Sequence, residues 1–184
     1  MPRNDLLVWM DLEMTSLVDV TKDSIIEIAV VITDNNLDIV AEGPDIIVHA
    51  DATVFESIPS DVLEIHRKSG IIEASIQSTV TTEQAEKEVL AFVEAHTTPQ
   101  SSPLCGNSIH MDRMFLRLHM PTLDSYLHYR CVDVSTLKGL AERWKPEVYE
   151  NWRSVRGEKK HRAKDDILKS IEELKFYRKH LFAS

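Results

Sequence analysis

Three short acidic stretches carry the residue types best suited to chemistry. The first is Asp11-Leu12-Glu13, at the end of a β-type run. On a strand, residues i and i+2 share a face, so both carboxylates converge on one place. Two acids so placed repel each other unless a cation sits between them. Their hard oxygens suit Mg²⁺ or Mn²⁺, whereas Zn²⁺ draws on His and Cys. A solvated strand end accounts for the same pair, so D-x-E alone does not decide.

The second candidate is Asp112, in the string Cys105-Gly106-Asn107-Ser108-Ile109-His110-Met111-Asp112. A Gly-Asn-Ser turn there leads from a short buried strand into a helix, the kind of junction at which α/β proteins build sites. The helix dipole by itself also favours an acid in the first turn. The third stretch is His161-Arg162-Ala163-Lys164-Asp165-Asp166, at the entrance to the last helix. Its two acids again suit the dipole, but a histidine five residues before the second acid is not explained that way. On an ideal helix Asp165, at i+4, faces His161 better than Asp166 does. Asp166 can work with the histidine only if His161 comes from the loop before the helix.

These residues need a scaffold, and the apolar pattern supplies one. Residues 6–13 read as a strand, and residues 25–33 (IIEIAVVIT) as a core strand rich in β-branched side chains. Asp34-Asn35-Asn36 suits a turn, residues 37–40 a returning strand broken by Gly43-Pro44, and residues 46–49 a further extended run. Helices are expected over 59–69, closed by Gly70, and from Thr81 or Thr82 to His96 with Ala85, Val89, Phe92 and Val93 facing inward. Residues 103–106 and 130–134 read as strands, 109–119 as a helix stopped by Pro121, and 136–144 as a helix. Residues 144–164 read as polar, basic and irregular, with Gly157 at a loop tip. A last helix over 164–180 shows Ile167, Ile171, Leu174 and Arg178 on one face. Strands first, then strands mixed with helices, predict a mixed central sheet flanked by helices, an α/β fold in a single domain over residues 1–184.

Composition bounds the partners. The chain is 43% hydrophobic and 28% charged, which fits a folded protein rather than a disordered one. Its apolar runs are too short to span a bilayer, and its start lacks a secretory pattern. Cys105 and Cys131 form no CxxC pair and lie in short apolar segments, which predicts buried free thiols and a cytoplasmic protein. The net charge of −9 is unevenly spread, with −14 over residues 1–142 and +5 over residues 143–184. An acidic bulk repels a long polyanion, because long-strand binding needs many Lys and Arg contacts. A ligand with one or two phosphates meets far less of that repulsion.

Taken together, D-x-E, a distant Asp and H-x-x-x-x-D resemble the histidine-bearing branch of the DEDD exonuclease superfamily. The longer strings WMDLEMTSL, IIEIAVVITD, AEGPDIIVH, LCGNSIHMDRMFL, HYRCVDVSTLKGLAERWKPE and HRAKDDILKSIEEL resemble the oligoribonuclease family, and the likeness spans about residues 6–181. The resemblance implies a ribonuclease-H-like exonuclease fold and 3′→5′ hydrolysis of short RNA oligonucleotides, especially 5′-phosphorylated dinucleotides, to 5′-mononucleotides. It implies that Asp11, Glu13, Asp112 and Asp166 hold two divalent cations, Mg²⁺ or Mn²⁺, and that His161 is the general base. A neutral histidine near pH 7 is suited to take a proton from water. It further implies a wedge between bases at Leu17, a lining role for His66, and a 5′-phosphate cap from Ser108, Arg130 and Ser135. Tyr129 would be donated across a homodimer interface.

Two positions depart from the family pattern. Ser16 stands where most relatives carry Gly, which matters if that backbone needs positive φ. Asp61 stands where some members carry a Trp that helps separate the bases. Rival readings remain at this point. Asp11-Leu12-Glu13-Met14-Thr15 also resembles the D-x-D-x-T of haloacid-dehalogenase-type phosphatases, although that chemistry has no use for His161. A sensor of short nucleotides and an exonuclease for longer strands are the other two.

Overall fold

Leu7–Met14 (β1) and Ile25–Thr33 (β2) run antiparallel at the heart of the molecule, and all nine residues of β2 are buried. The computed structural model describes residues 1–56, 58–157 and 161–182. Ile39–Ile47 (β3) pairs antiparallel with β2, whereas Pro103–Gly106 (β4) and His128–Asp133 (β5) extend the sheet in parallel on the other side. The order is β3-β2-β1-β4-β5, a mixed five-stranded sheet as expected.

Helices cover both faces. One side carries Ser60–Ser69 (α1), Ile71–Gln77 (α2), Thr82–His96 (α3), Ile109–His119 (α4) and Pro121–Tyr126 (α5). There Val8, Met10 and Leu12 pack with Ile28, Val30 and Ile32 against Val89 and Val93 of α3 and Phe115 and Leu116 of α4. The opposite face carries Val134–Trp144 (α6), Pro146–Val155 (α7) and Ala163–Leu181 (α8). Trp9, Ala29 and Val31 meet Trp152 of α7 and Ile167, Ile171 and Tyr177 of α8 on that side. The period of two thus sends Asp11 and Glu13 to the α8 face of β1.

The local signals work where they are self-contained. Thr81 closes a capping box with Gln84, and Gly70 ends α1 at φ 72° in the left-handed region. Elsewhere the structure departs from the sequence reading. The third strand is not broken at Gly43-Pro44. It is an edge strand, where a missing N–H costs little, and its register shifts opposite Val30 accommodate the irregularity. Gly43 is required by close approach, since a Cβ there would lie 2.5 Å from Phe92 and 2.6 Å from Val30. Residues 146–155 form a helix instead of an irregular segment, with Pro146 in its first turn, where proline fits. The inner face of α8 ends in Tyr177, while Arg178 is exposed. Cys105 is buried, but Cys131 is exposed because β5 is the other edge strand. Among the described residues no helix is long and apolar enough to cross a membrane.

Candidate active site

The four acids and the histidine singled out by the sequence line one cavity of about 520 Å³ at the carboxyl end of β1. They are Asp11, Glu13, Asp112, His161 and Asp166. Asp11 sits opposite Ala29 in register, so a small neighbour leaves room beside its carboxylate. Glu13 sits opposite Glu27. Asp112, 6% exposed in the first turn of α4, accepts the Leu12 amide on Oδ1 at 2.9 Å. It therefore reaches the backbone between the two acids of β1.

His161 lies outside α8, which starts at Ala163, and has a left-handed backbone at φ 51°. Asp166 is in the first turn of that helix and is 7% exposed. Single ligand atoms of Glu13, His161 and Asp166 all lie within 4.8 Å of one another. Asp165, one residue earlier, does not line the cavity. Asp166 Oδ1 is buried and has no hydrogen-bond partner among the described residues. A desolvated carboxylate oxygen beside a second acid is costly unless a cation meets it. The donor set of carboxylates with one imidazole therefore fits a hard divalent cation.

The far end of the cavity is apolar. Leu17 and Val18, 55% and 78% exposed, stand at its rim with Val62 and Ile65 nearby. Asp61, the position where some relatives carry Trp, also lines it. His66 is buried there and donates from Nε2 to the Met14 carbonyl at 2.9 Å, and its buried Nδ1 has no hydrogen-bond partner among the described residues. Burial holds its pKa below the usual histidine value, against the opposing pull of that carbonyl.

The remaining predicted residues form a neighbouring group. Ser108 lines the cavity, and its hydroxyl lies 3.1 Å from that of Ser135. Asp133 accepts both the Ser108 and the Ser135 amides, at 3.0 and 2.9 Å. Tyr129 and Arg130 are not brought into the cavity. They are exposed on β5, with the guanidinium 5.5 Å from the Tyr129 ring centroid.

Sequence reasoning missed Asn107. It lines the site and donates to Ser170 Oγ at 2.9 Å and to Glu173 Oε2 at 3.0 Å, while its own oxygen accepts from Ser135 and Lys138. It also missed Glu27, although one acid inside a nine-residue buried strand is a readable signal. The phosphatase reading is excluded by topology, since β1 is followed by antiparallel β2 and β3 rather than a helical crossover.

Known proteins agree with this architecture. The family model described as "Exonuclease" (RNase_T) matches residues 8–174. Among solved structures, Exonuclease I from Methylocaldum szegediense superposes with a TM-score of 0.72 at 14% identity, covering 95% of this chain and 40% of that one. This chain thus spans about 40% of that larger protein, and the likeness is one of fold. The molecule is an exonuclease on a ribonuclease-H-like α/β fold.

Curated relatives narrow the class. The oligoribonuclease of Halorhodospira halophila is 51% identical over 173 residues, covering 94% of this chain and 92% of its own. The human protein described as "Oligoribonuclease, mitochondrial" is 48% identical over 176 residues, covering 96% of this chain and 73% of its own. That of Marinobacter nauticus is 46% identical over 182 residues, covering 99% of both. The chain belongs to the oligoribonucleases of the DEDD superfamily and is a 3′→5′ exoribonuclease.

Proposed function

We propose that the enzyme hydrolyses short oligoribonucleotides, and above all 5′-phosphorylated dinucleotides, to 5′-mononucleotides in the cavity at the end of β1. The observation that carries this reading is the convergence of Glu13, His161 and Asp166 within 4.8 Å in a cavity that Asp11 and Asp112 also line. Asp11, Glu13, Asp112 and Asp166 would hold two divalent cations, Mg²⁺ or Mn²⁺. Such ions stabilise the charge on the attacking and leaving oxygens of an in-line displacement at phosphorus.

The protein's own residues do the rest. His161 takes the proton of the attacking water, which its position beside Glu13 and Asp166 permits. Leu17 and Val18 present exposed apolar surface to the bases. His66, kept neutral by burial, fixes the Met14 carbonyl just past the metal-ligating pair. The Ser108 and Ser135 hydroxyls, 3.1 Å apart, would receive the 5′-phosphate, and Arg130, exposed on β5 outside the cavity, would add a charge-assisted bond to it from there. A phosphate held at a set distance from the acids leaves a third nucleotide without a place, so the site measures dinucleotides.

Completion of the cap by Tyr129 requires a homodimer. That reading is supported by β5, an edge strand with exposed Tyr129, Arg130 and Cys131 and free to meet a second copy. The cytoplasm, with its supply of short RNA ends, is the proposed location.

Product analysis tests the reading, using 5′-phosphorylated RNAs of two and seven nucleotides, with Mn²⁺, with EDTA and with His161→Ala. Rapid metal-dependent cleavage of the dinucleotide, slow cleavage of the heptamer and loss of both in His161→Ala are expected. Equal or faster attack on the heptamer would make it a general exonuclease.

A further inference from the structure

We infer that Glu27 is a positioning residue for the reaction, acting through Arg162 and Ala163 to fix His161 and Asp166 against the acids of β1. The inference rests on the roles proposed above for those two residues. Glu27 is fully buried on β2, directly opposite Glu13 in register. Its Oε1 accepts from Arg162 Nε at 2.9 Å and Nη2 at 2.8 Å, and its Oε2 accepts from the Ala163 amide at 3.2 Å. Among the described residues, the hydrogen bonds this carboxylate accepts thus come from the two residues that follow His161.

The need for such an anchor follows from the chain path. Asp11 and Glu13 are fixed by the pairing of β1 with β2, whereas His161 and Asp166 arrive from the start of α8, 135 residues later than Glu27 in the case of Arg162. His161 has a left-handed backbone, a conformation that persists only where its surroundings dictate it. The Asp166 amide donates to the Arg162 carbonyl at 3.0 Å, so the turn bearing Asp166 is built on the residue that Glu27 grips. One carboxylate therefore ties the register of the sheet to both late residues. Its charge also suits the N-terminus of α8. The bond to Glu27 raises the Arg162 pKa, while burial pushes the Glu27 carboxyl up against the pull of Arg162.

The test compares Glu27→Gln, Arg162→Met and the double variant with the parent enzyme. Dinucleotide cleavage, thermal midpoint and the ¹H–¹⁵N signals of the histidine rings are measured. Each single variant is expected to lose roughly 10- to 100-fold in kcat, the scale of a misplaced catalytic group, with KM within about two-fold of the parent. The double variant should lose no more than the worse single, because both act through one contact. The His161 ring signal, assigned by its absence in His161→Ala, should move in Glu27→Gln while that of His119 stays. Arg162→Lys, which keeps the charge but not the fork, should recover part of the loss.

Arg162 is partly exposed, so its variants carry the test even where Glu27→Gln folds poorly. Parent-like kcat in folded Arg162→Met, or an unmoved His161 signal, overturns the inference. A rise in KM at constant kcat overturns it as well. Parent-like activity in His161→Ala is a different failure, that of the proposed base itself.

Discussion

Asp112 hydrogen-bonds the amide of Leu12 at 2.9 Å, so an acid from α4 grips the backbone between Asp11 and Glu13. The pairing of β4 with β1 reaches only Val8 and Trp9, and the Leu12 amide lies beyond it. Asp112 thus serves the sheet with one oxygen and faces the cavity as well. Asp112→Asn keeps an acceptor for Leu12 but removes the charge. It should lower kcat by about 10²-fold or more, the scale of losing one positioned charge at a reacting centre, with little change in thermal midpoint. Asp112→Ala should lose activity similarly and also stability, by about 1–3 kcal/mol for the unpaired amide. Thermal melts of the two variants, beside their rates, separate the two duties.

Asp165 and Asp166 are neighbours in sequence but not in environment. Asp166 is 7% exposed and clusters with Glu13 and His161, whereas Asp165 is half-buried and does not line the cavity. Asp166→Ala should abolish dinucleotide cleavage with the fold intact. Asp165→Ala should keep activity within about ten-fold of the parent, since a lost helix-terminus charge is worth only about 0.3–1 kcal/mol. Rates and far-ultraviolet circular dichroism of both variants check this, and the reverse ranking would assign the wrong acid.

The scaffold was legible where a local pattern sufficed. The β-branched run of Ile25–Thr33 marks a buried strand, and Thr81 with Gln84 marks a helix start. Ile109–His119 follows from the Gly-Asn-Ser turn before it and Pro121 after it. The misses share a cause, namely dependence on tertiary context. Pro146–Val155 is polar and opens on proline, and only packing of Trp152 against Tyr177 and Phe176 gives it a buried face. Ile71–Gln77 starts directly at the left-handed Gly70, so the residue that ends one helix begins the next. At the site, acids spaced along β1 and α8 could be read from the chain. The bonds of Glu27 and Asn107 span 28 to 136 residues, a separation for which periodicity has no signal.

Burial lowers the His66 pKa, so acid should loosen the site side of the fold. The unfolded chain takes up a proton near the ordinary histidine value of about 6.5, while the folded one resists it. Between that value and the lower folded pKa the unfolded state binds more protons, so stability falls as pH drops. Above about 6.5 both states are neutral at this residue and the contribution is fully present. His66→Gln retains a donor for the Met14 carbonyl but does not titrate. Its thermal midpoint should therefore fall less steeply than that of the parent between about pH 7 and pH 5. Parallel midpoint curves for the two proteins would remove His66 as the source of the slope.

The loop that presents Leu17 and Val18 is built around Asp23. That buried carboxylate accepts from Thr15 Oγ1 at 3.0 Å, Ser16 Oγ at 2.7 Å and the Asp19 amide at 2.9 Å. Ser16 Oγ also accepts the Val18 amide at 3.2 Å, and His119 Nε2 donates to the Val20 carbonyl at 2.9 Å. Ser16 lies outside the left-handed region, so replacing the glycine of most relatives costs no backbone strain here. Instead its hydroxyl adds two bonds that glycine cannot make, and so stiffens the apolar rim of the cavity. Hydrogen bonds to a charged group contribute about 1.5–3 kcal/mol each, and part of that should be felt as a preorganised rim. Ser16→Gly is expected to raise KM for a dinucleotide about 3- to 10-fold with kcat nearly constant, because it acts on binding rather than on the acids. Leu17→Ala should raise KM further by removing the apolar surface itself. An equal fall in kcat in Ser16→Gly would show that the same loop also sets the geometry of Glu13, which lies three residues before it.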